Sequence, residues 1–303
     1  MKSTKITSNS AFTIVELIVV IVIIGILAAI TIVSYTGITQ KANVAAMQSD
    51  LSNSAKKLNL YQVADPSNNY PADQAAAIAA NVIKPNTNMD YIYYGVDNTS
   101  NPKYYCYMYR KGTDTWAVDS NSQPSKGVCL QNLIENGNFS VDSNSDGLAD
   151  GWTVAAAATK SLSANIQTYT AGAQFSSLGN STLPTYISGN IYYTSAYVDV
   201  ASTGIALIIY QGAGGGWPAS AHSASPGFQL ISVRASVVTG SSVNIYIQDS
   251  RISGFTPIRV KQWGAVNLTS IFGSGNEPTQ AQTDALMSQL PNSWFNITAK
   301  VNL

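Results

Sequence analysis

Between Phe12 and Val33 the chain runs for 22 residues with Glu16 as its only charged side chain. As an α-helix at about 1.5 Å per residue that run is roughly 33 Å long, about one bilayer hydrocarbon thickness. A carboxylate near the head of so apolar a segment is costly unless it meets an opposite charge or a polar surface. Ahead of it lie Met1–Ser10, mostly polar and carrying Lys2 and Lys5, and Ala11. Those lysines hold the short leader on the cytoplasmic side, so the bulk of the chain faces outward.

Ala11-Phe12-Thr13-Ile14-Val15-Glu16-Leu17, followed by Ile23-Ile24-Gly25-Ile26-Leu27-Ala28-Ala29-Ile30, resembles the N-terminus of type IV prepilins and pseudopilins. The resemblance implies cleavage between Ala11 and Phe12 by a prepilin peptidase, and methylation of the new amine. It implies that Glu16 then pairs with the N-terminal amine of a neighbouring subunit. The chemistry is reasonable, because a carboxylate in a low-dielectric bundle needs an opposite charge. Two positions depart from the family's pattern: Ala11 stands in place of the usual Gly, and Val33 in place of a frequent Pro. A plain membrane anchor is the bland alternative. A secretory signal would want its small-residue cleavage site after the apolar core, whereas the well-placed junction here precedes it.

Beyond Val33 the helix is expected to continue. Val44, Met47, Leu51, Ala55 and Leu58 recur at helical spacing and form an apolar stripe for packing under a small sheet. One helix over Phe12–Val63 follows, ended before Asp65-Pro66 because a residue preceding Pro is pushed out of the α region. A second helix is predicted over Ala72–Ile83. Tyr91–Tyr94, Tyr104–Tyr109 and Thr115–Val118 are short, aromatic and bounded by turn residues, which reads as antiparallel strands. A long helix on a small sheet resembles the pilin head. Cys106 and Cys129 fall on the side that a pilin exports, where an oxidising compartment lets them pair; two unpaired buried thiols are the other reading.

Near Leu130 the composition changes. Asn132–Phe139 followed by Gly151-Trp152, then Gly189–Val198 and Asn267–Thr279, resemble segments of carbohydrate-binding-module-type jelly rolls. Strand-like runs at 205–210, 229–238, 242–249 and 258–268 agree with a β-sandwich. Thr279 and Gln282 have capping-box spacing for a short closing helix. Trp152 and Trp263 adjoin strand or turn motifs and are expected in the core. The expected organisation is a leader over 1–11, a helix over 12–63 whose 12–33 part is the membrane or filament core, a head over 64–130, and a sandwich over 131–303. The fold class is α+β pilin-like, followed by an all-β jelly roll.

Asp142-Ser143-Asn144-Ser145-Asp146-Gly147-Leu148-Ala149-Asp150 has the pattern of a calcium loop. Asp142, Asn144, Asp146 and Asp150 supply oxygens at positions 1, 3, 5 and 9, Leu148 a carbonyl at 7, and Gly147 the sharp turn. Thr153 replaces the bidentate Glu at position 12, so a structural calcium stands against a metal-free Asx-turn loop. Trp217, in a glycine-rich stretch, is a candidate for stacking on a sugar ring or for packing at the sandwich edge.

Charge is balanced at 16 basic and 16 acidic residues, and losing Lys2 and Lys5 with the leader tips it negative. That excludes a nucleic-acid surface, which shows a basic excess. Catalytic residues are scarce: one histidine, His222, and three glutamates, Glu16, Glu135 and Glu277. No enzyme is predicted. The expectation is a type IV pilin-like filament subunit, a minor or tip pilin, carrying an adhesive glycan-binding module on the cell surface. Its partners would be prepilin peptidase, other pilin subunits, the inner-membrane assembly machinery and a glycan or host-surface ligand. It would be stored in the cytoplasmic membrane before assembly. Alternatives are a pseudopilin of a secretion or DNA-uptake system, a membrane-anchored glycan-binding protein, and a surface glycosidase.

Overall fold

A computed structural model describes residues 13–84, 87–155, 158–180, 186–200, 203–211, 218–223, 225–238, 243–291 and 295–303. By its internal contacts the chain divides into residues 1–47 and 48–303. The first unit is, in its described part, the opening of α1 (Ile14–Ala64), a single helix of 51 residues. Every described side chain from Ile14 to Ile32 is exposed. By length and composition the helix is long and apolar enough to cross a membrane. Its last third, in the second unit, buries Leu51 and Leu58 completely, as the apolar stripe requires.

The helix predicted over 72–83 is shorter. Asp73 caps α2 (Gln74–Ala79) by accepting the Ala76 N–H at 2.8 Å, and Asn81, at φ +55°, has already left the helix. The tyrosine-rich runs form β1 (Tyr91–Asp97), β2 (Tyr104–Lys111) and β3 (Asp114–Asp119), antiparallel in sequence order. β4 (Ser125–Gln131) follows, and the fifth strand of this head sheet is the end of the chain, β15 (Thr298–Asn302), antiparallel to β4. The sequence reading placed all of 131–303 in the sandwich and did not anticipate that return.

β2 explains its own sequence. Tyr105, Tyr107 and Tyr109 are fully buried, as are Cys106 and Met108 between them. Strand alternation sends the two sets to opposite faces. The tyrosines join Tyr70 and Tyr94 in edge and stacked contacts. Cys106 and Met108 enter a core shared with Leu268, Ile271, Phe272, Met287 and Phe295 from the segment between β4 and β15. Cys106 and Cys129 form a disulfide, both buried.

That segment is a two-sheet sandwich. One sheet has the order β11 (Ala219–Ala221), β10 (Ile205–Gln211), β13 (Val243–Asp249), β8 (Ser176–Asn180), β5 (Trp152–Val154). The other has β12 (Gln229–Ser236), β9 (Ile191–Asp199), β14 (Ile258–Asn267), β7 (Ile166–Thr170), β6 (Thr159–Ser163). Five of these, β5 to β8 and β11, lie where no strand was predicted. Between the sheets Phe139, Trp152 and Trp263 stack in series, with ring centroids 4.5 and 4.8 Å apart. Each indole N–H has a partner, the Asn136 carbonyl and the Thr194 hydroxyl, as buried tryptophans need. Gly137 must be glycine: a Cβ there would lie 2.0 Å from the Trp263 carbonyl oxygen.

Two helices close the sandwich, α3 (Leu268–Phe272), capped by Asn267, and α4 (Gln280–Met287). At α4 both halves of the Thr279–Gln282 capping box form, as the spacing predicted.

Candidate functional site

At the start of α1 the chain builds a second reciprocal cap. The Thr13 hydroxyl accepts the Glu16 backbone N–H at 3.2 Å, and the Glu16 carboxylate accepts the Thr13 N–H at 2.9 Å and its hydroxyl at 2.8 Å. Glu16 is therefore on the helix surface, at its N-terminus, held by one neighbouring residue. A carboxylate in the first turn is also favoured by the helix dipole. Ala11 and Phe12 lie outside the described residues.

The Asp142–Asp150 loop is ordered by its own backbone. Asp142 accepts the N–H groups of Asp146 and Gly147, Asn144 that of Asp146, Asp146 that of Leu148, and Asp150 that of Ser143. The other Asp146 oxygen receives the Lys160 ammonium at 2.8 Å, which holds its carboxyl below the usual range. Among the described residues, no three His, Cys, Asp or Glu side chains are gathered where they could hold a metal ion. The oxygens predicted as ligands are thus spread over amides and one lysine.

Gln167, a residue the sequence reading passed over, fastens this loop to the sandwich. It is fully buried; its carbonyl accepts the Ala149 N–H, and its amide donates to the carbonyls of Gly147, Ser161 and Thr168. Its neighbours in sequence, Ile166 and Thr168, do not mark it out.

On the outer face of the sheet containing β13 lies a groove of about 490 Å³. Thr153, Ser177, Asn244, Tyr246 and Gln248 line it, with Gly179 on its floor. Strand pairing explains the hollow: Gly179 is the cross-strand partner of Tyr246 and brings no side chain of its own. Every group here is neutral, and hydroxyls and amides alternate with one flat ring. This face was legible in Val243–Asp249, where Asn244, Tyr246 and Gln248 occupy every second position, but the sequence reading singled out Trp217 instead. Trp217 lies outside the described residues.

No curated protein matches the chain. Among solved structures, a mutant of a carbohydrate binding module family 29 aligns at 11% identity and a TM-score of 0.33, over 45% of this chain and 89% of that one. A family 29 module complexed with cellulohexaose aligns at 11% identity and a TM-score of 0.33, over 46% and 91%. The enzymatically active domain of bacteriophage CBA120 tailspike protein 4 aligns at 14% identity and a TM-score of 0.33, over 45% of this chain and 21% of that one. The two-sheet architecture rests on the strand pairing itself. At the other end of the chain, the family model of the prokaryotic N-terminal methylation motif matches residues 6–32, the segment that holds Ala11, Phe12 and Glu16.

Proposed function

We propose that the chain is a pilin-like filament subunit that carries its sandwich on the cell surface. The observation behind this is the methylation motif over residues 6–32, heading a helix exposed along its whole described apolar stretch. Among the described residues, that face has no partner. Lipid covers it before assembly, and the same face of other subunits covers it afterwards. Gly25, Ala28 and Ala29 allow the close helix approach that packing without a water-driven force depends on. In this reading prepilin peptidase cuts between Ala11 and Phe12, and inner-membrane machinery adds the subunit to the filament. Glu16 then exchanges its Thr13 partner for a neighbour's amine. Intact-mass measurement on sheared surface filaments tests it. A chain beginning at methylated Phe12 is expected, and one retaining residues 1–11 refutes it. Recovery from surface filaments also separates a pilus subunit from a pseudopilin of a secretion or DNA-uptake machine.

The finer reading, that the sandwich binds a neutral glycan, is supported by the groove around Tyr246. Sugar recognition combines a flat apolar face with neutral hydrogen-bonding groups, and both are present. Gly179→Val offers a selective test. A Cβ at Gly179 meets its nearest neighbours at 3.5 Å, an ordinary contact, so the substitution fills the groove while the fold tolerates it. Glycan-array binding by the full chain should be lost with the melting temperature kept. An array with no ligand for the wild type, or one bound equally by the variant, removes the groove from consideration.

A further inference from the structure

The sandwich has a free end. Ile191 and Asn267 lie towards the core shared with the head, so the opposite strand ends, Asp199, Ile258, Ile205 and Asp249, mark the far end. The chain connections there are 171–175, 200–204, 222–228 and 250–257. Apart from His222, which is buried, they contain a single ionisable residue, Arg251.

Apolar side chains stand out from these loops. Ile252 is 83% exposed and Phe175 59% exposed. Phe175 has φ +65°, an uncommon conformation for so bulky a residue. It is held there by its N–H on the Asp249 carbonyl at 2.7 Å, with Gln174 donating to the Ser250 carbonyl alongside. The neighbouring loop is wrapped around Arg251. That guanidinium pairs with the fully buried Asp249 and donates to Gly254 and Thr256, which turns Ile252 outward. Half-buried Phe228 and Phe255 complete the set.

The charges beside these loops are arranged by depth. Asp199 and Asp249 are buried, Arg251 is largely buried against Asp249, and the half-exposed Arg259, partner of Asp199, reaches the surface together with Lys261 over the Phe228 ring. The far end thus presents apolar protrusions beside a rim formed by Arg259 and Lys261, with its carboxylates withdrawn.

We infer that this end inserts into the interfacial region of a phospholipid bilayer carrying anionic headgroups. Separate protrusions on neighbouring loops favour a deformable phase. Acyl chains close around Ile252 and Phe175, whereas a rigid flat partner would touch their tips and leave the loops uncovered. The rim supplies the electrostatic attraction to the headgroups.

The test is co-flotation of the full chain, held in phosphatidylcholine nanodiscs, with phosphatidylcholine vesicles with and without phosphatidylglycerol. The nanodisc already covers the apolar part of α1, so the result does not depend on filament assembly. Binding is expected to the phosphatidylglycerol vesicles and to weaken with salt. Ile252→Ser and Phe175→Ser should each reduce partition on the order of tenfold, as loss of a partly inserted apolar side chain implies. The melting temperature of Ile252→Ser should be unchanged, because that side chain touches little else. Absence of wild-type binding, or binding that neither substitution weakens, overturns the inference. So does pairing of nanodiscs without vesicles, which would make the far end a self-association surface.

Discussion

Met287→Ala should destabilise the head as well as the sandwich. Met287 is 2% exposed on α4, and it packs in the same core as Met108, Val128 and Val301 of the head sheet. Truncating a buried methionine costs about 2–5 kcal/mol, depending on how far the surroundings collapse into the space. Here they cannot follow. The Asp284 carboxylate of the same helix receives the Tyr193 hydroxyl at 2.7 Å and the Ser232 hydroxyl at 2.8 Å, and the capping box fixes the helix start. The cost therefore belongs in the upper part of that range, about 3–5 kcal/mol. Hydrogen exchange read by mass spectrometry on the full chain resolves where it falls. Protection should drop by the same free energy in peptides from β4 and β15 and in peptides from β14. An exposed control on the same helix, Ala281→Ser, should stay within about 0.5 kcal/mol of wild type. A loss confined to sandwich peptides would show that the two cores unfold separately, and a loss below about 1 kcal/mol that the helix follows the cavity after all.

Glu16→Val should leave the chain membrane-inserted and helical, because the Thr13 hydroxyl caps the backbone N–H of residue 16 whatever its side chain. Its incorporation into filaments should fall sharply, and wild-type filament yield would refute the pairing role. For the Asp142–Asp150 loop, calcium remains a proposal with a built-in competitor, since an ion must displace Lys160 from Asp146. If calcium binds, it should raise the melting temperature by mass action, and Lys160→Gln should tighten its affinity. A melting temperature indifferent to chelator and to millimolar calcium in both proteins would leave the loop held by its amide bonds alone.

What the sequence disclosed was mostly local. The apolar run from Ile14, the stripe through Leu51 and Leu58, and the Thr279–Gln282 spacing each involve residues within a few turns of each other. Each formed as their chemistry required. Two of the strands that escaped notice have little apolar content to alternate. β8 reads Ser-Ser-Leu-Gly-Asn, and β6 is an edge strand of Thr, Lys, Ser and Leu. Long-range facts left no trace in any one segment. Nothing in Thr298–Asn302 says that it pairs with β4, 167 residues away at Gln131. Cys106 and Met108 could be seen to share a strand face, but not to meet α3 and α4 across it. At the groove the trace was present: Asn244, Tyr246 and Gln248 alternate openly, but polar alternation on a sandwich is ordinary until Gly179 is known to lie opposite.

The position of the disulfide follows from the same topology. Because Gln131 and Thr298 are paired, the sandwich leaves the head sheet and rejoins it at one place. β15 is therefore anchored to the rest of the head through β4. β4 in turn is joined to β3 by a short ladder, Trp116 opposite Lys126 and Ala117 opposite Ser125, at the end remote from the junction. Near the junction it is Cys129, two residues before Gln131, that bonds β4 to Cys106 on β2. A loop of this length closed by a disulfide is worth about 3–4 kcal/mol in the chain-entropy model, and here that constraint falls where backbone pairing is thinnest. Cys106 lies on the face of β2 opposite the buried tyrosines, so the covalent path from the sandwich runs through the bridge into a strand buried on both faces. Tension on a sandwich displayed by a filament would reach β2 by this route even if the short β3–β4 ladder opened.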